Sequence, residues 1–192
     1  MAKSLQPGYF DALYAADADP WRFETSAYED AKYRETLANL PRERYANAVE
    51  IGCSIGVLTA RLAARCDRLL GLDVAQAALN AAATRVPPNV DLALSTLPQT
   101  PPPGRFDLIM LSEVLYYFDR DGVRDMAATV TRIARDDADI MLVHWLGPTP
   151  DYPLDGETAV QAFVEAMAAK VTVMYQARTP DYRLDVLRVR AA

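Results

Sequence analysis

The stretch Val49-Glu50-Ile51-Gly52-Cys53-Ser54-Ile55-Gly56 carries an apolar run into a turn that holds an acidic residue and two glycines four positions apart. A hydrophobic strand that stops at a glycine turn and restarts as a helix brings backbone against a nucleotide in α/β folds. Glycine at positions 52 and 56 lacks the β-carbon that would block that approach or forbid a positive φ. Twenty-one residues after Gly52, Gly71-Leu72-Asp73-Val74 ends a second apolar run on an aspartate. Such folds place at that spacing the carboxylate that accepts ribose hydroxyls, so Asp73 is the expected ribose ligand, with Val74 beside it.

Outward from this pair, apolar runs and alanine-rich segments alternate from Ala46 onward, the pattern of a parallel sheet covered by helices. Strands are expected at Ala46–Ile51, Arg68–Asp73, Val90–Leu94, Phe106–Leu111, Ile140–Trp145, Val171–Ala177 and Arg183–Val189, with helices at Gly56–Arg65, Ala75–Arg85, Asp119–Arg135 and Gly156–Ala169. Only Arg178-Thr179-Pro180-Asp181 separates the last two strands, so they should pair as an antiparallel hairpin at the sheet edge. The expected class is α/β: a Rossmann-like, seven-stranded, mostly parallel sheet that ends in this hairpin. Residues 1–40 lie outside that pattern. They are expected to form an N-terminal lid of two helices, Pro7–Ala16 and Ala27–Leu40, over a core spanning 41–192, the whole making one domain. Between those helices, Asp19-Pro20-Trp21-Arg22-Phe23 carries aromatics that need something to cover.

Composition narrows the partners. A chain of 192 residues with 51% hydrophobic and 24% charged residues is ordinary globular usage. Its net charge of −6, with no basic cluster, argues against a nucleic-acid partner. Cys53 and Cys66 show no ligand-like pairing, and one histidine cannot build a histidine-rich centre, so no metal is expected. No run resembles a signal peptide or approaches the roughly 18 apolar residues of a membrane span, so a cytoplasmic location with no membrane contact is expected. The absence of a Gly-Lys-Ser/Thr loop excludes an ordinary P-loop nucleotidase.

A seven-stranded sheet whose final hairpin reverses one strand resembles the class I S-adenosylmethionine-dependent methyltransferases, and nearly the whole chain follows that order. The residues point the same way. Glu50 would repel a pyrophosphate but suit the ammonium of S-adenosylmethionine. Ser54, where dinucleotide motifs usually carry glycine, makes a tight pyrophosphate turn less favourable. The expected cofactor contacts are therefore Glu50, Gly52, Cys53, Ser54, Gly56, Asp73 and Val74, with Thr96 and Leu97 at the adenine, Ser112 after the fourth strand, and Trp21 and Tyr28 from the lid. S-adenosylhomocysteine is the expected product.

Three segments carry a narrower resemblance. Asp19-Pro20-Trp21-Arg22, Glu50-Ile51-Gly52-Cys53 and Glu113-Val114-Leu115-Tyr116-Tyr117 together resemble the NodS family of rhizobial nodulation N-methyltransferases. The resemblance implies methylation of the free amine on the terminal glucosamine of a deacetylated chitooligosaccharide, with S-adenosylmethionine and no metal. It places Trp21 and Arg22 in the lid segment, Gly52 and Cys53 in the cofactor turn, Asp73 at the ribose, and Glu113, Tyr116 and Tyr117 in the acceptor-side motif. Beyond Leu146 the likeness is poor, and residues 147–155 depart from the family pattern.

Methyl transfer is an in-line displacement that demands an aligned lone pair and exclusion of water. Glu113, at the carboxyl edge of the sheet, is the expected group to orient an amine and receive its proton, with Tyr117 beside it. Tyr116 and Tyr117 are adjacent, so in a regular segment only one should face the pocket. His144, near the end of the fifth strand, is a second candidate base, and Trp145 a candidate platform for a sugar ring. Tyr28-x-x-x-Lys32 has the spacing of a dehydrogenase pair but precedes the first strand, which makes Lys32 a surface lysine of the lid. The expected partner is a small-molecule acceptor, an amino sugar or related amine, without an evident protein partner. Two alternatives stay open: an O-methyltransferase of a sugar or natural-product hydroxyl, and a cofactor-binding protein without transfer activity.

Overall fold

A computed structural model describes residues 3–191 of the chain. Its seven strands are β1 (Ala48–Ile51), β2 (Leu69–Asp73), β3 (Val90–Leu94), β4 (Phe106–Ser112), β5 (Ala134–Trp145), β6 (Val171–Arg178) and β7 (Tyr182–Val189). They form one sheet in the order β3-β2-β1-β4-β5-β7-β6, parallel except for β7, which runs antiparallel to both β5 and β6. The helices are α1 (Pro7–Ala16), α2 (Ala27–Ala38), α3 (Val57–Leu62), α4 (Gln76–Ala83), α5 (Arg120–Ile133) and α6 (Gly156–Met167). Strand order reverses between β1 and β4, which opens a crevice at their carboxyl ends.

Period-two alternation sorts the central strands onto two faces. Val49, Ile51, Ile109 and Leu111 pack with Met126 and Val130 of α5 and Phe163 of α6. Ala48, Leu108 and Met110 pack on the other face with Leu58 and Leu62 of α3 and Tyr33 of α2. Complete burial of a side chain such as Leu108 or Ile109 contributes roughly 2 kcal/mol apiece. Side-chain caps start three helices: Ser26 accepts from the Glu29 amide on α2, Asp119 from Gly122 on α5, and Asp155 from Thr158 on α6.

The expected elements are all present, with shifted ends. β1 begins at Ala48 rather than Ala46 because the Asp107 carboxylate accepts the amides of Ala46 and Asn47 at 2.8 and 2.9 Å, outside the ladder. β5 begins six residues before Ile140, at Ala134. Its register against β4 jumps from Phe106↔Ala134 to Leu108↔Asp139, and the extra residues Arg135-Asp136-Asp137 bulge into solvent. The expected helix ran to Arg135, two residues past the end of α5 at Ile133. Among the described residues, no helix is long and apolar enough to cross a membrane, and no group of three or more His, Cys, Asp or Glu could hold a metal ion.

Candidate active site

The turn after β1 is built on positive φ values: 78° at Gly52, 51° at Ser54 and 79° at Gly56. Gly52 lies at the crevice, where an added β-carbon would sit 3.3 Å from Val114 Cγ2. Gly56 serves a different purpose from the one expected. A β-carbon there would come within 2.9 Å of the Ala82 Cβ, so its bare backbone lets α4 pack against the turn. The Cys53 side chain is likewise turned away, buried with its Sγ against Gly71, while its backbone amide donates to the Leu72 carbonyl at 2.9 Å. Glu50 is also buried, lies on the α2/α3 face of the sheet, and lines neither of the cavities described below. Burial pushes its pKa up to about 8, and its Oε2 has no hydrogen-bond partner. Charge at a strand end gives no indication of which face the side chain takes.

Asp73 caps β2 and knits two loops together. One carboxylate oxygen accepts from the Ser54 amide at 2.8 Å and the other from the Ala75 amide at 2.9 Å. Each oxygen keeps a second lone pair for a ligand hydroxyl. Burial raises the Asp73 pKa, and these backbone donors oppose the rise without reversing it. Ser54 Oγ bonds the Tyr14 hydroxyl of α1 at 2.5 Å, which ties the lid to the glycine turn.

Two cavities meet at this point and share Gly52, Asp73, Val74, Val114, Phe10 and Tyr117 in their walls. The smaller, about 70 Å3, is bounded by Ser95, Thr96 and Leu97 after β3 and by Leu5 and Pro7 of the lid. Its walls are mainly apolar, with Asp73, Ser95 and Thr96 as the polar residues among them. The larger, about 480 Å3, runs from Ser54 and Asp73 past Ser112 to Trp145. Trp21 and Tyr28 of the lid face this larger space, Tyr28 at its far end in edge contact with Trp145 (centroids 5.7 Å apart).

Both Tyr116 and Tyr117 line the larger cavity, contrary to the expectation that only one could. Residues 115–117 form a 3-10 turn rather than a regular strand, and the two rings meet edge to face at 4.8 Å. Tyr152, from the divergent 147–155 loop, stacks on Tyr116 at 5.3 Å and 21° and meets Tyr117 edge-on. The loop is thus the far wall of the site. Tyr14, Glu29 and Tyr152 also line it and were not singled out in the sequence, and Phe23, read there only as an aromatic in need of cover, joins them. Only Glu29 carried a local signal, as the fourth residue of the capping box Ser26-Ala27-Tyr28-Glu29.

Glu113 is already engaged. Its Oε1 accepts from Lys32 Nζ at 2.5 Å, and its Oε2 accepts from the Tyr116 hydroxyl at 2.7 Å and the Trp145 amide at 2.8 Å. Burial alone would raise its pKa, but the Lys32 charge and these donors outweigh it and hold the carboxyl below the usual range. A carboxylate so satisfied is a weak proton acceptor, which corrects its assignment as the base. Lys32 is not a surface residue: it is 2% exposed and also donates to Glu29 Oε1 at 3.0 Å.

His144 is fully buried and lines neither cavity. Its Nε2 accepts from the Leu115 amide at 3.0 Å, so the imidazole is neutral and braces the 3-10 turn. Desolvation depresses its pKa to about 4. Its assignment as a base is therefore corrected to a structural one, with the ring packed edge to face against Tyr116 (centroids 5.6 Å apart) beneath the 3-10 turn.

Strand order, the reversed β7, the glycine turn and the acidic end of β2 together define the Rossmann-like fold of the class I methyltransferases. Within that class the chain belongs to the Nodulation protein S (NodS) family, whose profile matches residues 12–143. It is 37% identical over 106 residues to Nodulation protein S of Rhizobium tropici, an alignment that covers 54% of this chain and 44% of the relative. With Nodulation protein S of Bradyrhizobium diazoefficiens it shares 36% over 113 residues, covering 57% and 54%. The chain spans about half the length of the curated relatives it matches. Its fold superposes on the crystal structure of N-methyltransferase NodS from Bradyrhizobium japonicum WM9 in complex with S-adenosyl-L-homocysteine, with a TM-score of 0.83, 24% identity, and coverage of 96% and 98%.

Proposed function

We propose that this chain is an S-adenosylmethionine-dependent N-methyltransferase whose acceptor is a small amine, an amino sugar of the deacetylated chitooligosaccharide type. Its lid (residues 1–40) and core (41–192) act as one catalytic unit. S-adenosylmethionine supplies a methyl group made electrophilic by a sulfonium charge. The fit of this chain's residues to that group rests on Asp73, which keeps lone pairs for a ribose diol, on Thr96 and Leu97 beside a base-sized cavity, and on the backbone at Gly52.

The observation that carries the amine reading is the charge of the larger cavity. Four carboxylates, from Glu29, Asp73, Glu113 and Asp151, face a single ammonium, Lys32. S-adenosylmethionine brings one net positive charge, which leaves an excess of carboxylate that a cationic acceptor matches. Rings from Tyr28, Tyr117, Trp145 and Tyr152 give such an acceptor apolar and cation–π surface. The neutral hydroxyl that an O-methyltransferase takes would leave that excess of carboxylate unmatched. The lid and the 147–155 loop exclude water from the transfer.

Mass spectrometry of purified protein with S-adenosylmethionine and matched chitooligosaccharides tests the reading. Addition of one or more methyl groups only to the oligomer with a free terminal amine is expected. Methylation of the fully N-acetylated oligomer, or of hydroxyls alone, would overturn it.

A further inference from the structure

With Glu113 committed to Lys32, the proton of an incoming ammonium needs another destination. Glu29 lies on the first turn of α2, is 8% exposed, and lines the larger cavity. Lys32 occupies its Oε1, while Oε2 has no hydrogen-bond partner. One residue earlier, Tyr28 lines the same cavity, and its hydroxyl is also buried without a partner. A buried carboxylate oxygen and a buried hydroxyl left without partners are each costly and call for a polar ligand; Lys32 Nζ, 3.0 Å from Glu29 Oε1 and 5.1 Å from the Tyr28 ring centroid, sets both residues around one ammonium.

We propose that Glu29 is the acceptor-amine base of this enzyme and that the Tyr28 hydroxyl positions the amine beside it. This inference rests on the N-methyltransferase reading above. The Glu29–Lys32–Glu113 cluster carries two carboxylates against one ammonium, so an acceptor ammonium completes its charge balance. An N–H bond of that ammonium breaks, its electron pair stays on nitrogen as the nucleophilic lone pair, and the proton forms an O–H bond at Glu29 Oε2. The groups that face Glu29 favour that transfer: burial raises its pKa first of all, Glu113 adds to the rise, and Lys32 and Tyr33 oppose it without cancelling it. Glu113 is held low by the same lysine, so the two carboxylates divide the work, one to hold Lys32 and one to take the proton.

Glu29→Gln keeps an oxygen for Lys32 and removes the base. In complex with S-adenosylhomocysteine, its affinity for the free-amine chitooligosaccharide at pH 6 should fall about tenfold by calorimetry, as one charged contact is lost. Methyl transfer at pH 6 should fall about 100-fold and recover to within a few-fold of wild type above the pKa of the acceptor amine. S-adenosylhomocysteine affinity and thermal stability should stay near wild type, and a variant that fails in both is replaced by Glu29→Asp, for which partial activity at pH 6 is expected. A deficit of equal size at every pH, or no deficit, would overturn the role of Glu29 while leaving the N-methyltransferase reading intact. Wild-type protein that methylates hydroxyls and no amine would overturn both.

Discussion

Lys32 of the lid helix α2 donates to Glu113, 81 residues further along the chain at the end of β4, and the same ammonium holds Glu29. The contact joins the N-terminal lid to the turn that carries Tyr116 and Tyr117, and Glu113 passes it on to the Trp145 amide of β5. Three elements that line the larger cavity thus depend on one buried cation.

Replacing Lys32 by Met should therefore leave two buried carboxylates without a counter-charge. A loss of about 3–5 kcal/mol is expected, read from urea denaturation curves. A loss below about 1 kcal/mol would show that the carboxylates become neutral or solvated at little cost and that the cation is dispensable.

His144 should govern acid stability rather than the reaction. Its imidazole titrates at about 6.5 when unfolded and about 4 when folded, because burial favours the neutral form. Between those values the unfolded chain binds the extra proton, so stability falls as pH drops from about 6.5 to about 4, by roughly 3 kcal/mol in all from this group. His144→Gln retains an acceptor for the Leu115 amide and should flatten that part of the stability–pH curve while leaving methyl transfer at neutral pH intact. An unchanged curve, or lost transfer in a folded variant, would contradict this account.

Asp73→Ala removes the acceptor of the Ser54 and Ala75 amides together with the expected ribose contact. Two charged hydrogen bonds of about 1.5 kcal/mol each predict a decrease of about 100-fold in S-adenosylhomocysteine affinity, measurable by calorimetry. Affinity within a few-fold of wild type would move the ribose site elsewhere.

Tyr152→Ala should separate acceptor from cofactor. The ring touches Tyr116 and Tyr117 but not the smaller cavity. KM for the chitooligosaccharide should rise about tenfold, the worth of one lost aromatic contact, with S-adenosylhomocysteine affinity unchanged. Equal losses in both would show that the loop shapes the whole cavity.

Glycine spacing and the aspartate at the end of the second apolar run placed Gly52 and Asp73 at the crevice because both signals are local: a backbone turn and a strand end lie where the chain itself puts them. The short connection at 178–181 likewise announced the antiparallel hairpin. Glu50, Cys53 and Gly56 belong to the same motif, yet their α-carbons and side chains serve the core, since β pleating and the packing of α4 decide which way each one faces. The acceptor end was less legible still. Lys32 read as a surface lysine because nothing near it in sequence announces Glu113.

The sequence by itself determined the order of strands and helices, the glycine turn, the carboxylate at β2 and the two N-terminal helices, all set by periodicity and spacing over a few residues. Tertiary structure alone decided which acid holds the lysine and which is left with a free oxygen, that His144 is a buried brace, and that Tyr152 closes the site. Those outcomes depend on burial and on partners distant along the chain. Desolvation and pairing set the charge of a carboxylate or an imidazole, and neither exists until the lid has packed onto the sheet.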